Sequence, residues 1–312
     1  MFSNKLLFFS IFENRYLLLS SSVLWERFLL ERKVEKILER RLTFEGAGVK
    51  LRRVLGNDDD STLDPFLLLD HFGSENPKDY IKGFPWHPHR GMETVTYMWT
   101  GEVEHGDSMG NKGVIKSGDV QWMTAGSGII HQEMPQKYDG LMQGFQLWVN
   151  LPAKKKMTDP KYRGITKDQI PVIEKDGQTI KVIAGKIGGI EGPVRDLSTE
   201  TEYFDVELAV GKEFQRLTHE NLTVFSYIIN GSVEVHDQKI KSGQCAVFSK
   251  GDSVKISSLN GARFLFVAGE PLNEPVAWRG PIVMNTEEEL ETAFEELDEG
   301  TFIKSHKSIK LA

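Results

Sequence analysis

The chain has a single cysteine, Cys245, in 312 residues. An intramolecular disulfide, a Cys-x-x-Cys redox pair and a cysteine-based zinc site are therefore excluded. A lone thiol fits a reducing compartment, so a cytoplasmic setting is expected, or a nuclear one in a eukaryote. Long apolar runs are missing as well. No stretch reaches the roughly 18 uninterrupted apolar residues of a membrane span. Basic charge is in deficit, with 38 Lys plus Arg against 45 Asp plus Glu and a net charge of −7. That balance argues against a general nucleic-acid binder, because phosphate contacts need a basic patch. DNA is within reach only indirectly, through another protein. Proline is sparse at 12 beside 29 glycines, which points to many turns. What is present is ordinary for a globular chain: 39% hydrophobic, 27% charged and 10% aromatic residues, enough for about two domains.

Residues 1–33 stand apart. Leu6–Phe9 and Leu17–Leu19 are apolar clusters broken by Glu13, Asn14 and Arg15. Lys5 followed by Leu6–Phe12 imitates the start of a signal peptide, but Glu13 and Arg15 intervene before Ser20–Ser22. Glu13, Glu26 and Glu31 speak against an organellar leader. The expectation is an extension outside the main fold.

The rest reads as all-β. From Val49 to Asn150, short runs rich in Val, Thr, Tyr and Trp are punctuated by glycines, the pattern of a sandwich or barrel. Thr94–Trp99 and Phe145–Val149 are the clearest strands. A polar stretch, Lys154–Asp176, reads as a linker, and strand patterns resume from Thr179 to Val267. Near the end, Thr286 and Glu289 can form a capping box before Leu290, Phe294 and Leu297 at helical spacing, with Gly300 as the stop. A short docking helix is expected there. The two β halves share a repeat. Gly101-Glu102-Val103-Glu104 and Ile115-Lys116-Ser117-Gly118 correspond to Gly231-Ser232-Val233-Glu234 and Ile240-Lys241-Ser242-Gly243. Two matches in the same order predict a duplicated barrel. The expected divisions are an extension at 1–33, a metal-binding barrel at 34–151, a linker at 152–178, and a second barrel with the helix at 179–312.

Chemistry concentrates in the first half. His87-Pro88-His89 is a His-x-His pair, and residues two apart on a strand face the same side. Pro88 holds His87 extended. His131 and Glu133 form a second pair after a glycine-rich turn, and Glu93 shares the parity of His89. Two such pairs on neighbouring strands would make a site of imidazoles and one carboxylate. Such mixed ligands suit Fe(II), Mn, Ni or Cu. Parity allows either carboxylate, Glu93 or Glu133. His105, beside a glycine-rich loop, is expected to be exposed. Phe84, Trp86, Trp122 and Phe145 are expected mainly in cores, with some walling a pocket for a flat ligand.

These segments resemble the pirin family of the cupin superfamily. The resemblance rests on Leu63–Leu67, Phe84–Val95, Gln121–Gly126, Gly128–Pro135, Gln146–Leu151, Ala268–Val276 and Gly280–Thr286, and it spans about Val49 to Phe302. It implies two stacked cupin (jelly-roll) β-barrels, of which only the first holds a metal, usually iron. By that resemblance the metal ligands are His87, His89, His131 and Glu133. Glu93 is then a supporting residue. Fe(II) is the implied metal, with Mn, Ni, Cu or Zn as substitutes. His71 stands where some pirins carry an acid, a departure read as incidental. The repeat offsets map the ligands His87 and His89 to Leu217 and His219, and His131 and Glu133 to Ile256 and Ser258. One ligand of four survives, so the second barrel is expected to lack the site.

The resemblance implies quercetin 2,3-dioxygenase activity, with a flavonol and O₂ as partners and Glu133 as ligand and proton acceptor. It also implies an alternative, a redox-responsive regulator that binds transcription factors or metabolic enzymes.

Overall fold

The computed structural model describes residues 29–56 and 63–304. Most of the proposed N-terminal extension, residues 1–28, lies outside the described residues. The first half contributes β1 (Val34–Glu39), β2 (Arg41–Glu45), β3 (Val49–Leu55), β4 (Phe66–Ser74), β5 (Phe84–His89) and β6 (Met92–Thr100). It continues with β7 (Val103–Asp107), β8 (Lys112–Ile115), β9 (Val120–Thr124), β10 (Ile129–Pro135), β11 (Met142–Asn150) and β12 (Lys161–Ile165). Strands β2 to β12 form a sheet in the order β12-β9-β6-β11-β4-β3-β2, faced by a four-stranded sheet in the order β5-β10-β7-β8. Two antiparallel sheets packed in this way enclose a shared interior.

The second barrel is built on a ten-stranded sheet that includes Gln178–Ala184, Thr201–Leu208, Thr223–Val235, Gln244–Phe248 and Ala262–Gly269. The repeat shows in its turns. The Gly118 N–H donates to Met98 O at 2.7 Å, and the Gly243 N–H donates to Ile228 O at 2.8 Å. Gly118 and Gly243 have φ of +89° and +88°, a conformation that costs glycine little and other residues much. The fold is all-β with one short helix, and its two cupin barrels stack face to face. A single core joins them, in which Val95, Tyr97, Phe145 and Leu147 of one meet Tyr203, Phe225, Tyr227 and Leu265 of the other.

Three segments cross the boundaries expected from sequence. β1 does not join the first barrel; it pairs with Gln244–Phe248 of the second, Ile37 opposite Ala246. Arg32 just before it is buried and donates to Thr218 Oγ1 and to the carbonyls of Ser249 and His219. The stretch expected as a linker supplies strands to both barrels: β12 pairs with β9, and Val172–Lys175 pairs with Gln178–Ala184. Finally, the chain beyond the second barrel returns to the first. The hairpin of Ala277–Arg279 and Ile282–Met284 and the helix α1 (Glu287–Asp298) pack with Phe302 against Ile130 of β10. Helix α1 is capped as expected: Thr286 Oγ1 accepts from the Glu289 N–H at 3.2 Å, and the Glu289 carboxylate accepts from the Thr286 N–H at 3.1 Å.

Candidate metal centre

β5 is an edge strand, which tolerates Pro85 and Pro88 because neither has an N–H to leave unpaired. It carries His87 and His89 on one face. β10 lies beside it with His131 directly opposite His87. The three rings converge, with centroids 4.4 Å apart for His87 and His131, 4.8 Å for His87 and His89, and 5.0 Å for His89 and His131. Each offers a nitrogen within 4.8 Å of the others.

The hydrogen bonds fix what those nitrogens present. His87 Nδ1 lies 2.9 Å from Pro85 O, and His89 Nδ1 lies 3.1 Å from Pro281 O. A carbonyl only accepts, so each Nδ1 carries a proton, and the neutral form of either ring presents a lone pair at Nε2. The two Nε2 atoms nevertheless sit 3.1 Å apart. With bonds of about 2.0–2.1 Å, two imidazoles at right angles on one ion stand about 3.0 Å apart. His131 adds a second sign. It is fully buried, and neither ring nitrogen has a hydrogen-bond partner among the described residues. An unpaired buried polar group costs about 1–3 kcal/mol, which coordination would offset. Burial holds His89 and His131 well below the ordinary imidazole range, and the neighbouring histidines push the same way. Both rings therefore stay neutral, as a ligand must. The residues fit a bound transition-metal ion.

Of the four expected ligands, the structure brings three together. Glu133 stands outside the tight histidine group, on the wall of the adjoining cavity, where its Oε1 accepts from Thr96 Oγ1 at 2.7 Å. The alternative carboxylate is committed elsewhere. Glu93 accepts from Trp122 Nε1 at 3.0 Å and from Thr124 Oγ1 at 2.6 Å. Burial raises the Glu93 carboxyl above its ordinary range, against the pull of those bonds. The parity shared with His89 fails because Arg90 and Gly91 separate β5 from β6, which belong to different sheets.

Other expectations need correction. His105 is buried, not exposed. It lies opposite Glu133, contacts Asp107 Oδ2 at 3.2 Å, stacks on Tyr162, and its ring centroid is 5.5 Å from that of His131. His71 is not incidental: its Nδ1 meets the Tyr227 hydroxyl of the second barrel at 2.8 Å. Among the aromatics the expectation holds for Trp122 and Phe145 in the inter-barrel core and for Phe84 on the cavity wall, and fails at Trp86, which is 54% exposed. Sequence reasoning missed Trp148 and Trp278, whose rings pack 5.9 Å apart beside His89. The Gln-Leu-Trp motif held a clue to Trp148. Nothing local marked Trp278, which arrives from the far end of the chain.

The cavity has a volume of about 270 Å³, just under the common range for small-molecule sites. The C-terminal hairpin closes one side of it with Trp278, Gly280 and Pro281. Arg90 anchors that hairpin and its helix from the residue next to His89. Its guanidinium donates to Glu296 at 2.7 Å and to Phe302 O at 2.8 Å, and it lies over the Phe302 ring at 4.1 Å. Gly91 allows the approach, because a Cβ there would lie 1.8 Å from Val283 O.

Comparison with known proteins matches residues 48–149 to the Pirin family model and residues 203–303 to the Pirin C-terminal cupin domain. The chain belongs to the pirin family. It is 44% identical to a pirin-like protein of Caulobacter vibrioides over 87% of this chain and 99% of that protein. It is 42% identical to human pirin over 84% of this chain and 91% of the other. Among solved structures, a quercetin 2,3-dioxygenase from Acinetobacter baumannii is similar at a TM-score of 0.81 and 35% identity, covering 87% of this chain and 98% of that one. Among the described residues, no helix is long and apolar enough to cross a membrane.

Proposed function

We propose that the chain is a mononuclear iron(II)-dependent quercetin (flavonol) 2,3-dioxygenase, with His87, His89, His131 and Glu133 as metal ligands and a flavonol and O₂ as substrates. The observation that carries this reading is the His131 ring, buried and unpartnered between two imidazole lone pairs, beside a cavity walled by Phe84, Trp148 and Trp278. Mn, Ni, Cu or Zn could occupy the same donors. When bound, the ion supplies a Lewis acid for the flavonol oxygen and a template for O₂. The protein supplies the rest. The carbonyls of Pro85 and Pro281 keep His87 and His89 in one tautomer. Phe84, Trp148 and Trp278 hold the flat rings and exclude water. Glu133 accepts the proton of the flavonol 3-hydroxyl at the oxygen that Thr96 leaves free. Both atoms of O₂ enter the products, the central ring opens, and carbon monoxide leaves beside the depside.

The test is anaerobic purification with metal analysis, followed by oxygen uptake and carbon monoxide release across a flavonol panel. Glu133→Gln removes the base and is expected to lower turnover per bound ion by about 10²–10⁴-fold. A metal-loaded protein that leaves the whole panel untouched would sink the dioxygenase reading. Pull-downs under reducing and oxidising conditions would then test the regulator.

A further inference from the structure

A polar row crosses the cavity wall. Arg53 on β3, Asp70 on β4, Gln146 on β11 and Thr96 on β6 stand directly opposite one another on successive neighbouring strands. Opposite residues of antiparallel strands share a face, and all four line the cavity. The row spans three inter-strand steps, roughly 14 Å at about 4.8 Å each. One end lies at Glu133, through Thr96. At the other, Arg53 grips Asp70 with two bonds of 2.9 and 2.8 Å and reaches Glu45 at 3.0 Å. The flanking rows are apolar, with Leu68 and Trp148 on one side and Phe72 on the other.

Gln146 is the pivotal member. Thr96 Oγ1 lies 2.7 Å from Glu133 Oε1 and 2.7 Å from Gln146 Oε1. A hydroxyl has one proton and cannot donate to both. A half-turn of the Gln146 amide resolves the conflict, because its NH₂ then donates to Thr96 and Thr96 donates to Glu133. The Gln146 carbonyl oxygen is thereby released from Thr96 as an acceptor. The indole N–H of Trp148, two residues on, is buried without a hydrogen-bond partner among the described residues. The wall thus offers an acceptor between two apolar strips.

We infer that this row reads the hydroxylation pattern of a flat polyphenol: Gln146 and the Arg53–Asp70 pair select ring hydroxyls remote from the oxygen held beside Glu133. The inference rests on the flavonol reading and adds to it the residues that choose among flavonols. An apolar slot alone would bind a bare three-ring skeleton as well as a hydroxylated one. A matched hydrogen-bond partner on the wall makes each hydroxyl worth about 3- to 10-fold in affinity.

The test titrates metal-loaded protein under argon with flavonols carrying none, one, two or three hydroxyls on the pendant ring, following tryptophan fluorescence. Wild type is expected to tighten by about 3- to 10-fold per matched hydroxyl. Gln146→Leu should flatten that preference, so that hydroxylated and unhydroxylated flavonols bind it with affinities within about twofold of each other. Gln146→Met serves the same purpose if the leucine variant does not fold, which thermal melting will show. Flavonols that bind and turn over with no regard to pendant hydroxyls overturn the inference and leave the dioxygenase reading standing. Failure of every flavonol to bind overturns both.

Discussion

The two barrels share their turns and part company inside. Where the first barrel has His131, the matching position of the second is Ile256, fully buried opposite Phe214. Phe214 packs 5.3 Å from Phe266 and 5.8 Å from Phe264, and Phe204 stacks on Phe266 at 5.8 Å. That interior is filled with apolar rings. The first barrel instead encloses the histidine triad, Glu133 and a cavity. Leu217 and His219, which match His87 and His89, are both exposed. One scaffold thus serves two ends. An interior closed by aromatic packing provides stability, whereas one left open and polar provides a site that needs an outside partner to satisfy it.

That contrast can be broken or sharpened by experiment. The largest effect is expected at the unpartnered ring. His131→Ala should reduce metal content from about one ion per chain to background, measured by elemental analysis after anaerobic purification, with the second barrel still folded by circular dichroism. Full metal occupancy in this variant would refute the triad. Next is the filled interior. Phe266→Ala should cost about 3–5 kcal/mol in urea unfolding and leave metal affinity unchanged. A matching loss of metal would mean that the barrels do not divide the labour.

A smaller effect is expected where the C-terminal hairpin meets the first barrel. Gly91→Ala places a methyl group against Val283 O and shifts the hairpin that bears Pro281, the partner of His89 Nδ1. Disturbing such an outer partner typically weakens metal binding about 10- to 100-fold, to be read by competition with a chelating dye. Unaltered affinity would show that the hairpin is merely a cover.

The effect most thinly spread, over several pH units, lies at the inter-barrel contact of His71 and Tyr227. Burial lowers the His71 imidazole from its ordinary 6.5 to about 3, with Arg40 and Arg52 adding to the effect. The folded state keeps this ring neutral while the unfolded chain protonates it near 6.5. Between about pH 6.5 and 3 the unfolded state therefore binds the extra proton, and stability falls as pH drops. The slope from this one group approaches about 1.4 kcal/mol per pH unit. His71→Gln should remove that share of the acid sensitivity, as measured by urea unfolding at several pH values below 6.5. An unchanged slope would place the acid sensitivity elsewhere.

Much of this molecule was legible because its rules are local. Thr94–Trp99 and Phe145–Val149 became strands because β-branched and aromatic residues fit a pleated surface. Gly118 and Gly243 occupy turns that need a positive φ. Thr286 and Glu289 cap a helix from three residues apart. His87 and His89 share a face because strand geometry alternates every residue. Each of these follows from a handful of neighbouring residues.

The remainder depended on partners distant in the chain. Parity could not choose between Glu93 and Glu133, because the choice hangs on a break between two sheets. It could not bury His105, whose neighbours Gln121 and Tyr162 come from other strands. It could not seat β1 in the second barrel. Nor could it bring Pro281 to His89 across 192 positions, or set Arg53, Asp70, Gln146 and Thr96 in one row. Local propensity and periodicity determine which segments become strands and turns and which side chains share a face. Register and long-range packing are settled by the whole chain burying its apolar surface at once, so only the tertiary structure decides which faces meet around the histidine triad.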